Sequence, residues 1–507
     1  MKSKGIVYLV GAGPGAPGLL TLRGAELLAR ADVVICDVLV NPELLQLAPG
    51  SAEIIGRGNH KRDGGLSQDE LTALMLTRAR EGKCVVRLKG GDPYILGRGA
   101  EEAEALVAEG IPFEVVPGVS SIAAVPNYAG IPLTHRNHCS SFTVFTGHGD
   151  TSEAATSLRY EQIAKIPGTK VVLMGADRLD NWTQALIANG LAPATPVAMI
   201  HRGTTGGQRS IVGTLATVAA LAAKEKITPP VITVVGDVVK LHSKLNWFEK
   251  KPLFGRRIVV TRRPEQAGEF SRRLAELGAD VLAVPTIQLT IPENKQGLID
   301  CLLSLNSYDW LVFTSANGVS WFFDFFFKRF NDMRDLGGAR IAAVGPATAA
   351  KLRELHLQVD LMPEDHVGRS IADAFAKFES IENLKMCLLR AEVANPDLPR
   401  ALEAMGAIVD DIPVYRTVAA TEDRTGAAAR LLESGADWVM FTSSSTVEHF
   451  HARFDLPELL KKFPNLKLAS IGPETSQTLR DLKLEPTLEA KEHTTDGLIA
   501  SLLKATA

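Results

Sequence analysis

Short apolar runs that stop at glycine, proline or hydroxyl residues recur along the chain, and helical spacing fills the intervals between them. Ile6 to Val10 is such a run. It enters Gly11-Ala-Gly13-Pro14-Gly15-Ala-Pro-Gly18, and a helix is predicted over 20–31. Val33 to Cys36 is a second strand and closes on Asp37. Arg87-Leu-Lys89 leads into Gly90-Gly91-Asp92-Pro93, a strand that ends in a glycine turn with an acid at its tip. Further on, Arg257 to Thr261 precedes a helix of about 265–277. Gly278 suits its C-terminal cap, and a strand follows toward Pro285, giving a parallel β-α-β unit. Asp309 to Ser315 and Arg340 to Val344 read as buried strands; the second runs into Gly345-Pro346-Ala-Thr348 and a helix. Trp321 to Phe327 carries six aromatic residues around Asp324. That is too short to span a bilayer and predicts a buried aromatic helix face.

Part of this pattern is duplicated. Tyr308-Asp-Trp-Leu-Val-Phe-Thr-Ser-Ala-Asn-Gly-Val319 returns as Ala436-Asp-Trp-Val-Met-Phe-Thr-Ser-Ser-Ser-Thr-Val447, an offset of 128. The same offset carries Arg262 onto Arg390, Gly278 onto Gly406 and Pro285 onto Pro413. With an offset of 127, Gly345-Pro346-Ala-Thr348 maps onto Gly472-Pro473-Glu-Thr475. Nothing before residue 255 joins this register, so the chain is composite: an unrepeated N-terminal half and a duplicated C-terminal half. Charged residues around Pro252 mark a linker at 249–255.

Composition narrows the classes. With 507 residues, 46% hydrophobic and 22% charged, the chain has the makeup of a globular protein of several domains. A net charge of -3 argues against nucleic-acid binding through a bulk positive field. The five cysteines (Cys36, Cys84, Cys139, Cys301, Cys387) are scattered and never form a Cys-x-x-Cys pair, which suits neither a disulfide framework nor a zinc site. The apolar start is too short for a signal segment. A cytoplasmic protein that binds no metal, nucleic acid or membrane is expected.

Gly11 to Ala16 fits Gly-x-Gly-x-x-Ala, with Asp37 about 20 residues on, so a nicotinamide-dinucleotide oxidoreductase is one alternative. Pro14 counts against it, because a phosphate cradle works through free backbone N–H groups and proline has none. Four further motifs decide the N-terminal half. They are Arg87 to Pro93; Val116-Pro-Gly118-Val-Ser120-Ser121; Gly130-Ile-Pro-Leu-Thr-His135-Arg136; and Leu173-Met174-Gly175 followed by Gly203-Thr-Thr-Gly-Gly-Gln208-Arg209. In this order and spacing, residues 4–248 resemble the uroporphyrinogen III C-methyltransferases. The resemblance implies two α/β lobes with S-adenosylmethionine folded between them, and a homodimer formed through this half. It implies cofactor contacts from Pro14, Gly90, Gly91, Asp92, Ile95, Ser120, Ser121, Met174 and Gly203, and Asp37 as proton acceptor. A substrate with eight carboxylates would need cationic partners, for which Arg57, Arg98, His135 and Arg136 are candidates. Arg57 stands where the family often has a lysine proposed as proton donor. An arginine stays protonated, so charge pairing is expected there instead.

Residues 256–507 resemble uroporphyrinogen III synthase. The resemblance implies two similar lobes, one of about 256–289 plus 417–507 and the other of about 290–416, with the active site in the cleft they form. Tyr415 matches the family's candidate acid; Arg262, Ser315, Thr348, Ser443 and Thr475 would anchor substrate. The expected architecture is therefore α/β throughout: a two-lobed tetrapyrrole-methylase fold followed by a duplicated two-lobed parallel α/β synthase fold. The expected function is cyclisation of hydroxymethylbilane to uroporphyrinogen III and its double methylation to precorrin-2, toward sirohaem or cobalamin. A C-terminal half that serves as a non-catalytic binding module is the remaining alternative.

Overall fold

The computed structural model describes residues 5–56, 66–147, 160–363 and 370–506. Among the described residues, twenty strands build four five-stranded sheets. The first contains β1 (Ile6–Gly11), β2 (Val33–Cys36), β3 (Glu53–Gly56), β4 (Cys84–Lys89) and β5 (Phe113–Val116), in the order β3-β2-β4-β1-β5 and parallel throughout. The second contains β6 (Phe142–Thr146), β7 (Thr169–Leu173), β8 (Pro196–His201), β9 (Arg209–Thr214) and β10 (Val231–Val235). Its order is β6-β7-β10-β8-β9, and only β6 and β7 are parallel.

The C-terminal half supplies β11 (Arg257–Val260), β12 (Asp280–Ala283), β13 (Ile287–Thr290), β14 (Trp310–Phe313), β15 (Arg340–Ala343), β16 (Lys385–Ala391), β17 (Ile408–Ala419), β18 (Trp438–Phe441), β19 (Lys467–Ser470) and β20 (Leu488–Glu489). One sheet runs β12-β11-β18-β19-β20 and the other β13-β17-β16-β14-β15. The sequence repeat maps β12, β11, β18 and β19 onto β17, β16, β14 and β15, so the duplication reappears as an identical strand order. Register follows: Val260 pairs with Ala283 as Leu388 pairs with Asp411. Only the edges differ, with β20 parallel to β19 in one sheet and β13 antiparallel to β17 in the other.

Each sheet buries both faces, which is why its strands read as near-continuous apolar runs. In the first, Val10, Val34 and Leu88 pack on one side and Leu9, Ile35 and Val85 on the other. In the last, Phe313 and Leu389 face the helix Ala316–Arg329, whose Phe322, Phe323 and Phe326 are buried as the aromatic pattern predicts. The chain divides into two compact units, residues 1–285 with 422–507 and residues 286–421. No helix among the described residues is long and apolar enough to cross a membrane.

Candidate active sites

In the first half, backbone meets backbone where the glycine motifs predict a ligand. A Cβ on Gly118 would lie 2.1 Å from the Gly91 carbonyl, and one on Gly11 would lie 2.5 Å from the Gly118 Cα. The turn after β1 and the turn after β4 are bridged: Gly91 N–H donates to the Gly13 carbonyl (2.8 Å) and Gly13 N–H to that of Gly91 (3.2 Å). Three glycines thus stack into a floor that no side chain can enter. Ser120 and Ser121 sit beside it, with Ser120 capping the helix Ser121–Tyr128. Asp92 accepts from Tyr94 N–H and Gly118 N–H (2.9 and 3.0 Å), so its carboxylate ties the two turns together. Ala16 N–H donates to Thr204 Oγ1 (3.0 Å), and a Cβ on Gly203 would strike Val125, which brings the second sheet's β8–β9 turn onto the proline loop.

These bonds also dispose of a dinucleotide phosphate site. Ala12, Gly13 and Ala16 commit their N–H groups to Lys89, Gly91 and Thr204, Pro14 has none, and the next α-helix begins only at Leu22. An S-adenosyl ligand asks for something else: polar backbone edges beside open apolar surface. Leu39, Ile95 and Met174 are large apolar residues left exposed on the loops after β2, β4 and β7, and a Cβ on Gly90 would meet only Leu39, at 3.8 Å. The residues present fit that cofactor.

Asp37, at the tip of β2, belongs to a buried charge cluster that the sequence pattern did not disclose. Arg87 donates to its Oδ1 (2.5 Å), and Lys89 Nζ lies 4.0 Å from Oδ2. Glu102 Oε1 accepts from Arg87 Nε (3.1 Å), Lys89 (3.0 Å) and Gln68 (2.5 Å), while its Oε2 is buried with no hydrogen-bond partner among the described residues. Arg87 and Lys89 are each 1% exposed. Two cations and two carboxylates balance, which is what lets the group sit in an apolar interior. Burial, helped by the Arg87 charge, holds the Lys89 ammonium below the usual lysine range against the pull of Glu102 and Asp37. A clue was present: two cations at alternate positions of an otherwise apolar strand.

The substrate candidates of this half are scattered. Arg98 is exposed and pairs with Glu101 (3.6 Å). His135 holds a turn through Asn137 N–H (3.2 Å), and Arg136 is exposed. Arg57 lies outside the described residues.

In the second half, hydroxyls stand at the carboxyl ends of the strands. Ser315, after β14, caps the helix Ala316–Arg329 by accepting from Gly318 N–H (3.0 Å), and its Oγ is 3.2 Å from the Tyr415 hydroxyl. The structure thus joins two of the candidates, with Tyr415 itself buried. Ser443, after β18, caps the helix Ser444–Phe454 and reaches Ser445 Oγ (3.0 Å). Thr348 and Thr475 are buried in the first turns of the helices Pro346–Glu354 and Pro473–Asp481. Arg262, beyond β11, is half-buried and bonded to no described residue. Among the described residues no group of three or more His, Cys, Asp or Glu side chains could hold a metal ion.

A glycine-floored two-lobed unit with a carboxylate at its strand tips, followed by twin parallel α/β lobes edged with hydroxyls, defines a composite enzyme for small molecules. Comparison with known proteins resolves the two parts. The tetrapyrrole (corrin/porphyrin) methylases match residues 6–219, and uroporphyrinogen-III synthase HemD matches residues 268–500. A porphyrin biosynthesis protein HemD from Ruminiclostridium josui is 38% identical over 502 residues, 99% of this chain and 98% of its own. An S-adenosyl-L-methionine-dependent uroporphyrinogen III methyltransferase from Methanosarcina barkeri is 52% identical over 48% of this chain and 94% of its own. Among solved structures, the uroporphyrin-III C-methyl transferase of Thermus thermophilus complexed with S-adenyl homocysteine is 39% identical over 47% of this chain and all of its own, at a TM-score of 0.40. The chain belongs to the family of fused tetrapyrrole methylases and HemD-type uroporphyrinogen-III synthases. It is a bifunctional enzyme of tetrapyrrole biosynthesis whose methyltransferase half depends on S-adenosylmethionine.

Proposed function

We propose that the C-terminal half closes hydroxymethylbilane to uroporphyrinogen III and that the N-terminal half methylates this product twice, giving precorrin-2. The observation that carries the methyltransferase reading is the floor of Gly11, Gly91 and Gly118 with Asp37 on the neighbouring strand tip. When bound, S-adenosylmethionine supplies a methyl group already electrophilic enough to need only placement. The chain then has two tasks. Its backbone edges hold the reactants in line, and Asp37 accepts the proton that the ring gives up once a pyrrole carbon has used its electron pair to take the methyl group. In the synthase half, Tyr415 protonates the departing hydroxyl, which leaves as water. The resulting cationic azafulvene closes through a spiro intermediate, and the strand-end hydroxyls hold substrate carboxylates. The methyltransferase half is read as the dimerisation module, which light scattering on the full chain would test.

Hydroxymethylbilane supplied with methyl-labelled S-adenosylmethionine tests both halves together. Label in a doubly methylated type III tetrapyrrole is expected. A product that is only the type I isomer of spontaneous closure, or one without label, overturns the synthase or the methyltransferase reading respectively.

A further inference from the structure

The duplication allows each lobe of the synthase half to be read against the other, and one ion pair is broken between them. In the lobe built on β16 and β17, Arg390 donates through Nε and Nη2 to both oxygens of Asp411, with Nε–Oδ1 at 2.6 Å, and through Nη1 to the Asn395 carbonyl (2.6 Å). It is 7% exposed. Arg390 follows Leu388 by two residues, and Leu388 pairs in register with Asp411. In the other lobe Arg262 follows Val260 by two residues, and Val260 pairs in register with position 283. Position 283 is alanine. The arginine has been kept and its acid has not.

We infer that this asymmetry assigns the two arginines different work: Arg390 is a strut, and Arg262 is the receptor for a carboxylate of the tetrapyrrole substrate. The inference rests on the synthase reading and adds the residue that makes the lobes unequal. Arg262 stands past the carboxyl end of β11, where open parallel sheets place ligands. Beside it β18 runs on to Thr442 and Ser443, and Thr261 Oγ1 bonds the Met440 carbonyl (2.9 Å), fixing the backbone from which Arg262 projects. A half-buried guanidinium with no acid bonded to it among the described residues is an unfinished ion pair. Burial, and then the charge of Arg263, hold it below the usual arginine range. The planar fork that closes on Asp411 at Arg390 would close in the same way on a propionate or acetate arm of a porphyrinogen.

The test restores the missing acid. At position 411 an aspartate in this register closes on its arginine, so Ala283→Asp places an acid where it should capture Arg262 internally. For synthesis of the type III isomer by the full chain, Ala283→Asp and Arg262→Gln should each raise KM for hydroxymethylbilane about tenfold or more, the scale of one charge-assisted bond. Ala283→Asn, which adds the bulk without the charge, should stay within about twofold of the parent. Methylation of supplied uroporphyrinogen III and the calorimetric melting temperature should be unchanged in all three, which together confirm folding of both halves. If Ala283→Asp and Arg262→Gln leave KM within about twofold, or if Ala283→Asn raises it as much as Ala283→Asp, the inference fails while the synthase reading stands. If the parent chain makes no type III isomer, the synthase reading itself fails. Should Ala283→Asp unfold, Arg262→Gln with the methylation control decides alone.

Discussion

Asp37 carries two loads, and they can be separated by substitution. As proton acceptor it needs an oxygen free to take a proton; as a member of the buried cluster it balances Arg87. Asp37→Asn keeps the shape and removes both the base and the charge. Methyl transfer should fall by about 10²-fold or more, the usual contribution of a general base, while S-adenosylhomocysteine affinity, measured by calorimetry, stays within a few-fold because the cofactor floor is made by glycine backbone. Arg87→Met should behave differently. It leaves two carboxylates facing Lys89 alone in an apolar interior, and loss of a buried partner costs about 3–5 kcal/mol, so the melting temperature should drop along with activity. The place of Asp37 was legible because it closes an apolar strand, whereas its role as proton acceptor came only from the resemblance. Its partners were not legible, because Glu102 returns to β4 from a helix whose sequence alone reads as an ordinary solvated acidic face. In the synthase half the same logic separates Arg390 from Arg262. Arg390→Met should destabilise by about 2 kcal/mol, below the full buried-pair cost because Asp411 keeps solvent contact. Thermal denaturation of Arg390→Met beside Arg262→Gln, which should leave the melting temperature unchanged, checks this.

At the scale of elements, strand tips were readable and turn-to-turn contacts were not. Apolar runs placed β1, β2, β11, β14 and β15 because buried parallel strands have no polar face to confuse with a loop. The first helix came out shorter than its apolar spacing implies, Leu22–Leu28 in place of 20–31. The Thr21 hydroxyl accepts from Gly24 N–H (3.1 Å) and fixes the start, and Pro17 to Leu19 form a separate short turn. The contact of Gly11, Gly91 and Gly118 joins three turns far apart in sequence, so only the glycines themselves hinted at it. A methyl group there is the sharpest test of the cofactor floor. Gly118→Ala puts a Cβ about 2.1 Å from the Gly91 carbonyl, which forces the two turns apart. S-adenosylhomocysteine binding should fall below detection by calorimetry, while the synthase half in the same chain keeps its activity. Retained micromolar binding would show that the floor is not where the cofactor lies.

For the molecule as a whole, the methyltransferase half and the first synthase lobe are one compact unit, and a named set of contacts makes them so. A Cβ on Gly206, in the β8–β9 turn, would meet Ala279 and Asp280 backbone at 2.2–2.5 Å. Arg424 donates to the Gly50 carbonyl (2.9 Å), and Glu249 accepts from Gln208 (2.8 Å) and Ser210 (2.5 Å). Glu43 lies in the same junction. Burial first, and then the charge of Asp280, push its carboxyl up to about 7 despite Arg430. The sign follows from proton linkage: a carboxyl whose folded value exceeds its unfolded value of 4.5 binds more protons when folded. Its contribution is complete below about pH 4.5 and is lost as pH rises through about 7. The junction is thus predicted to loosen between pH 5 and 8, and this can be told from a general pH effect. Glu43→Gln should flatten the dependence of the melting temperature over that range, with its largest gain at pH 8. Gly206→Leu should abolish the docking at every pH and split one calorimetric transition into two. If Glu43→Gln leaves the pH profile unchanged while Gly206→Leu splits the transition, the halves are docked but Glu43 does not regulate the docking. If neither variant has an effect, the two enzymes are joined by their linker alone, and any advantage of fusing them lies in proximity rather than in a shared body.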